Sequence, residues 1–82
     1  MITLNSSKTS ELLSRGVYNI APNLNGGSAT LEYRPETSST WYAVDSSSVT
    51  DLLGENYNLP ECEIRITSIT GNPSFEITVV EY

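Results

Sequence analysis

The stretch SATLEYRPETSSTWYAVD, residues 28–45, contains two strand-like segments separated by a polar turn. In residues 28–34 polar and apolar side chains alternate strictly, which places Ala29, Leu31 and Tyr33 on one face. A period of two residues fits a β-strand and cannot fit a helix, whose period is 3.6 residues. The proline and the Ser/Thr-rich segment that follow predict a turn. We therefore expect a strand, a turn and a second strand here.

Similar patterns continue on both sides of this stretch, with turn signals about every ten residues. Residues 12–15 are ambiguous between a helical turn and a strand, residues 55–61 are predicted as a connection, and residues 70–73 as a tight hairpin turn. This spacing predicts an all-β protein, a small antiparallel β-sandwich or open barrel of five to seven short strands. The strands predicted besides residues 28–34 are 1–4, 16–21, 40–45, a short one within 46–53, 61–69 and 74–82.

Alternation along these strands also predicts the core. The facing of residues 40–45 stays open, because Trp41 and Ala43 alternate with Tyr42 and Val44 and all four are apolar. Cys62 is expected to point inward as a small apolar side chain. The expected core is Tyr18, Ile20, Ala29, Leu31, Tyr33, Val44, Leu52, Ile64, Ile66, Phe75, Ile77 and Val79.

The length of 82 residues predicts a single β-sandwich domain at residues 16–82, preceded at residues 1–15 by an arm or short strand with a flexible link. Domains of this size have thin cores and often depend on disulfides, metals or oligomerisation. Cys62 is the only cysteine, which excludes a disulfide within the chain, and the lack of histidine argues against zinc. Oligomerisation or docking on a larger body is the remaining source of support.

The sequence offers no recognisable catalytic or ligand-binding set. Without histidine a Ser-His pair cannot form. Glu61 and Glu63 share a strand face with Arg65 and predict a solvated surface, and the acidic residues Asp45 and Asp51 lack calcium-loop spacing. We expect no enzyme activity, no catalytic, cofactor-binding or metal-binding residues, no cofactor and no small-molecule substrate.

The formal net charge is −6, from ten acidic and four basic residues. Phosphate backbones and anionic membranes attract clustered Lys and Arg, so we expect neither nucleic acid nor a membrane as partner. No basic segment followed by an apolar run begins the sequence, and no apolar run approaches the ~20 residues of a membrane span. Synthesis in a cytoplasm with a reduced cysteine is the expectation.

Contacts with another protein are the remaining kind of function. Trp41 and Tyr42, beside the polar turn, could pack in the core, anchor a protein interface or stack on a sugar. The β-branched segment 74–82 would pair with a neighbouring chain if it lay at a sheet edge, and residues 1–4 could add to a partner's sheet. The candidate partner-binding residues are Trp41, Tyr42, Glu36, Thr37, Val80 and Tyr82.

The order of the segments GVYNI, GGSATLEYRPETSSTWYAV and NLPECEIRITSITGNPSFEITVVEY resembles small virion proteins of tailed bacteriophages. Those proteins combine a strand of the form A-T-x-x-[YV], a polar turn, a Trp followed by Val or Leu, and a late R-x-x-[VI]-T-G-type hairpin. The resemblance covers residues 16–82, while residues 1–15 match no named pattern. The matching positions are Ala29, Thr30, Tyr33, Trp41, Val44, Thr70 and Gly71, together with Arg65, which has one residue more between it and Ile69 than the pattern has.

The resemblance implies a structural protein of the virion, most simply a capsid decoration (cement) protein on the capsid surface. Its expected partner is the major capsid protein, itself as a trimer, or both. The alternative is a tail-fibre or receptor-binding module that recognises carbohydrate on the host surface.

Overall fold

The computed structural model describes residues 1–44 and 55–81, which form two antiparallel sheets of four strands each. The predicted all-β sandwich is confirmed, with eight strands in the described residues rather than five to seven. The strands are β1 (Ile2–Leu4), β2 (Ser10–Leu13), β3 (Gly16–Asn23), β4 (Ser28–Pro35), β5 (Tyr42–Ala43), β6 (Glu55–Leu59), β7 (Cys62–Thr70) and β8 (Ser74–Glu81).

The strand order is β1-β8-β3-β6 in sheet I and β2-β7-β4-β5 in sheet II. Consecutive strands lie in different sheets at every step except from β4 to β5. The strand pair predicted from residues 28–45 is therefore present, as β4 and β5 pair through Glu32↔Ala43 and Tyr33↔Tyr42. The remaining connections carry the chain from one sheet to the other.

The segment at residues 70–73 is one of these crossings, so its prediction as a hairpin turn was wrong. β7 pairs with β2 and β4, whereas β8 pairs with β1 and β3. Gly71 has a φ of 70° and Pro73 is buried, and together they direct the chain across the sandwich. The sequence alone does not distinguish this crossing from a hairpin turn. Both kinds of connection use a residue with left-handed backbone angles next to a proline or glycine.

Apolar side chains from both sheets pack together between the sheets. No polar side chain among the described residues is buried there. Most of the predicted core is buried or packed against it, while Leu52 lies outside the described residues. Val79 is the exception, since it is 39% exposed. The buried apolar residues are Leu4, Leu13, Tyr18, Ile20, Leu31, Leu59, Cys62, Ile64, Ile66, Phe75 and Ile77.

Residues 1–15 supply one edge strand to each sheet. β1 pairs with β8 through Ile2↔Ile77, and β2 pairs with β7 through Leu13↔Cys62. The connection between them is held by Asn5, whose side-chain oxygen accepts hydrogen bonds from the backbone N–H groups of Ser7 and Lys8 at 2.9 and 3.0 Å. Such an Asx-type turn fixes a short polar connection.

Two other predicted boundaries were wrong. Residues 55–59 form β6 rather than a connection, because Leu59 fills the core and Tyr57 pairs with Tyr18 of β3. Cross-strand packing of this kind outweighs the low strand propensity of asparagine. β3 continues past Ala21 to Asn23, and Pro22 is tolerated there because, among the described residues, β6 pairs with β3 only as far as Ile20.

The facing of residues 40–44 is settled by pairing. Tyr42 lies opposite Tyr33, and the Val44 N–H donates to the Leu31 carbonyl at 3.0 Å. Tyr42 and Val44 therefore lie on the side of sheet II that faces the core, whereas Ala43 shares the outer side with Glu32. Asp45 and residues 46–53 fall outside the described part of the chain.

Candidate functional site

One edge of the sandwich contains a groove lined mostly by apolar residues, although polar atoms contribute more than half of the surface that it exposes. It lies where β1 of sheet I approaches β2 of sheet II, and it encloses about 290 Å³. None of its lining side chains carries a charge. We call it the edge groove, and it is lined by Met1, Ile2, Leu12, Leu13, Ser14, Tyr18, Ile77 and Val79.

The groove exists because β1 is much shorter than β8. β1 pairs with β8 only from Phe75 to Ile77, whereas β3 pairs with β8 along the other side as far as Glu81. In the part of the chain that the structure describes, no strand covers the β1 side of residues 78–81. These residues therefore form an open sheet edge beside the edge groove.

Several large apolar side chains are exposed around this open edge. Met1 is 83% exposed, Leu12 74%, Val80 54% and Val79 39%. Val79 occupies a core-facing position opposite Tyr18, and within the described residues β1 does not reach far enough along β8 to cover it. Exposed apolar residues that cluster in this way, unlike isolated ones, mark interaction surfaces.

β8 changes register within the open stretch. Val79 pairs with Tyr18 and Glu81 pairs with Val17, which leaves Val80 as an extra residue in β8. Such a β-bulge twists the strand locally and leaves the extra residue without a cross-strand partner on β3. Val80 follows the core-facing Val79 and is 54% exposed.

Charge is distributed unevenly between the two sheets. The four strands of sheet I contain no lysine or arginine, while β8 presents the exposed carboxylates of Glu76 and Glu81. Three of the four basic side chains are already in ion pairs, which are Lys8–Glu11, Arg34–Glu63 and Arg65–Glu32. Sheet I is therefore an acidic surface.

The outer face of sheet II contains the only tryptophan. The Arg65 guanidinium lies over the Trp41 ring, 3.7 Å from its centre, and Arg34 lies 5.6 Å away. Arg65 Nε donates to Glu32 Oε1 at 3.0 Å. Trp41 thus packs on the outer face of the sheet rather than in the core, and one face of its ring is occupied by Arg65.

The six predicted partner-binding residues fall in different places. Trp41 lies on sheet II, and Tyr42, 47% exposed, tilts against Tyr33 with ring centres 5.8 Å apart. Glu36 and Thr37 line a second cavity of about 210 Å³ with Arg15, Pro35, Pro60 and Glu61. Val80 lies on β8, and Tyr82 lies outside the described residues.

The structure brings Glu36, Thr37 and Val80 to the same end of the sandwich, where β4 and β8 both finish. It does not bring Trp41 and Tyr42 to the open edge of β8. The residues that sequence reasoning missed are Met1, Leu12 and Val79. A signal was present, since Leu12-Leu13 and Val79-Val80 are adjacent apolar pairs, and only one side of a strand can face the core.

Cys62 is a buried free thiol at the start of β7. Burial raises the pKa of the Cys62 thiol above its ordinary value. The thiolate is the nucleophilic form of cysteine, so this environment suppresses reactivity rather than promoting it. Among residues 1–44 and 55–81, no three acidic, cysteine or histidine side chains gather as a metal site would require.

No helix within the described residues is long and apolar enough to cross a membrane. No protein-family model matches the chain, and searches of curated proteins and of solved structures give no significant match.

Proposed function

We propose that this chain is a structural binding module that docks on a larger protein assembly, as a capsid decoration protein on the surface of a bacteriophage shell. The observation that carries the proposal is the open edge of β8 at residues 78–81, flanked by the exposed apolar residues Met1, Leu12 and Val79. An uncovered strand edge beside an apolar groove is a surface that a partner protein can complete.

The mechanism would be mass action. A module that binds the assembled shell, and not free coat subunits, stabilises the shell by RT ln(1 + [L]/Kd) for each site. This amounts to about 2.7 kcal/mol per site when the free module is at one hundred times its Kd. Many such sites on one shell would oppose its rupture by the pressure of packaged DNA.

The alternative, recognition of host carbohydrate through Trp41 and Tyr42, receives less support. Sugars stack on an open aromatic face, and Arg65 already occupies one face of the Trp41 ring. Tyr42 is tilted against Tyr33. Apart from Tyr42, the exposed large apolar residues in the described part of the chain are Met1, Leu12, Val79 and Val80.

The proposal is tested by co-sedimentation. The purified chain is incubated with empty shells of the coat protein from the same genome, and separately with host cells, and each mixture is pelleted. We expect the chain to pellet with shells and to raise the temperature at which they rupture. Leu12→Ser should weaken this binding, whereas Thr30→Ser, on the exposed outer face of sheet II, should not. Pelleting with cells but not with shells would show that the decoration role is wrong.

A further inference from the structure

We infer that residues 78–81 of β8 accept an extended partner segment as a strand in line with β1, and that this segment carries apolar side chains flanked by lysine or arginine. The inference rests on the proposed function, because it states how the module would hold its partner.

The backbone provides the first argument. β3 occupies one side of residues 78–81, and in a strand alternate residues direct their N–H and C=O groups to opposite sides. About half of the backbone groups in this stretch therefore face away from β3, where β1 has already ended at Ile2↔Ile77. A segment that enters antiparallel to β8 would extend the β1–β8 ladder without moving any existing strand.

The edge groove provides the second argument. Every second side chain of an added strand points toward the interior of the sandwich. Here it would enter a space of about 290 Å³ lined by Met1, Leu12 and Val79 among others, none of them charged. An apolar side chain such as valine, isoleucine or leucine gains free energy there, at roughly 25 cal/mol for each Å² removed from water.

Charge identifies the residues that flank the added strand. The strands of sheet I contain no lysine or arginine, and Glu81 lies within the open stretch. A second copy of this chain, added edge to edge, would place another Glu81 on the same acidic surface, where like charges repel. A segment with lysine or arginine at the end that lies beside Glu81 meets complementary charge instead, while its other end lies next to the amino terminus of Met1.

The test uses a synthetic peptide of alternating sequence, Lys-Thr-Val-Thr-Val-Thr-Val-Thr-Lys, with a fluorophore at one end. We expect the intact chain to raise its fluorescence anisotropy saturably. We also expect the peptide to slow hydrogen exchange of amides within residues 78–81, and not of those in β6. A peptide that carries N-methyl groups on the alternate residues whose N–H groups would face β8 cannot form this ladder and should not bind in this way.

Matched variants test the contribution of charge and the contribution of the edge groove separately. Glu81→Lys should weaken peptide binding by about three- to fivefold at physiological salt, the size of one exposed ion pair. Glu76→Lys makes the same charge change opposite Thr3, where β1 already covers the edge, and should have a much smaller effect. Val79→Thr keeps the side-chain shape and should also weaken binding, with circular dichroism checking that each variant is folded.

Each result has a distinct meaning. If the chain pellets with shells but the peptide does not bind, the decoration role stands and the strand-addition mode is wrong. If the peptide protects residues 78–81 but the chain does not bind to shells, strand addition is supported and the decoration role is wrong. If residues 78–81 become protected in the chain alone as its concentration rises, the occupant is a second copy and the inference is overturned.

Discussion

On the outer face of sheet II, a single indole ring covers two arginine side chains that are also in ion pairs. Arg65 Nε of β7 lies 3.0 Å from Glu32 Oε1 of β4. Arg34 Nη2 of β4 lies 3.3 Å from Glu63 Oε1 of β7. These ion pairs are partly exposed, and exposed pairs contribute little on their own. The contact of the Arg65 guanidinium with Trp41 adds a cation–π interaction. This contact holds the residue just before β5 against the outer face of sheet II.

Replacement of Trp41 tests this arrangement. We expect Trp41→Ala to lower the free energy of unfolding by about 1–2 kcal/mol, because it removes the cation–π contact and the cover over the arginines. Trp41→Phe keeps an aromatic ring and should lose less. Urea titration followed by circular dichroism measures both, since the intrinsic tryptophan signal disappears. An unchanged midpoint for Trp41→Ala would mean that the ring does not stabilise the fold.

Cys62 should make the stability of the chain depend on alkaline pH. Its pKa is raised in the folded state by burial, so the unfolded thiol ionises first as pH rises through about 9.0. The folded state then holds more protons, and the free energy of unfolding falls with pH, by at most about 1.4 kcal/mol per pH unit for one group. At lower pH the Cys62 thiol is protonated in both the folded and the unfolded state, so its ionisation does not change the free energy of unfolding.

The measurement compares urea unfolding of the native sequence and of Cys62→Ala between pH 7 and 10. All other ionisable groups are the same in both proteins, so the difference in slope isolates the thiol. Identical slopes would show that the thiol does not contribute. Alkylation of folded Cys62 by iodoacetamide at pH 7.5 should be far slower than alkylation of the urea-unfolded chain.

At the scale of elements, two crossings between the sheets touch at one end of the sandwich. A Cβ atom placed on Gly27 would clash with the Thr70 carbonyl oxygen, and one on Gly71 would lie 2.9 Å from the Gly27 Cα. Both neighbours are backbone atoms and cannot rotate away. The β3–β4 and β7–β8 connections therefore need glycine where they meet.

Gly27→Ala should therefore destabilise the fold more than Gly26→Ala. Gly26 has a φ of 77° and open space around its Cβ position. Its replacement by alanine should lower the free energy of unfolding by about 1–2 kcal/mol, because alanine is strained in the left-handed backbone conformation. Gly27→Ala adds a backbone clash, and we expect a loss of more than about 3 kcal/mol. Thermal unfolding of the two variants provides the comparison. Equal losses would mean that the two connections can separate without cost.

The sequence predicts the strands far better than their arrangement. Alternation in β4, β7 and β8 identifies which side faces the core, because burial imposes a period of two. The same alternation does not report which sheet a strand joins, so the crossing at residues 70–73 was taken for a hairpin. β6 was missed because its asparagines have low strand propensity and only packing on β3 decides its conformation.

The candidate site was predicted only in part. Val80 and the idea of an open strand edge came from the β-branched composition of β8. Leu12 could have been singled out as one of an adjacent apolar pair, but Met1 could not, because its role depends on where β1 stops against β8, some seventy residues along the chain. That register is a tertiary property which no local pattern contains.

At the scale of the whole molecule, the net charge of −6 opposes self-association through the open edge. The isoelectric point is about 4.2, so this repulsion disappears as the carboxylates are protonated. We expect the sedimentation coefficient to rise as pH falls from 7 toward 4, and to recover when the solution is returned to pH 7. Glu81→Gln should shift the onset to higher pH. A sedimentation coefficient independent of pH would show that charge does not keep the copies apart.

The pairing of β1 with β8 also has a consequence for biosynthesis. Ile2 meets Ile77, so sheet I cannot close until the ribosome has made and released most of the chain. Contacts so distant in sequence slow folding, because a long loop must be ordered first. During that interval β1 and the side of β3 that pairs with β8 lack their partner strand, and a chaperone that recognises extended apolar segments would meet the protein at this stage.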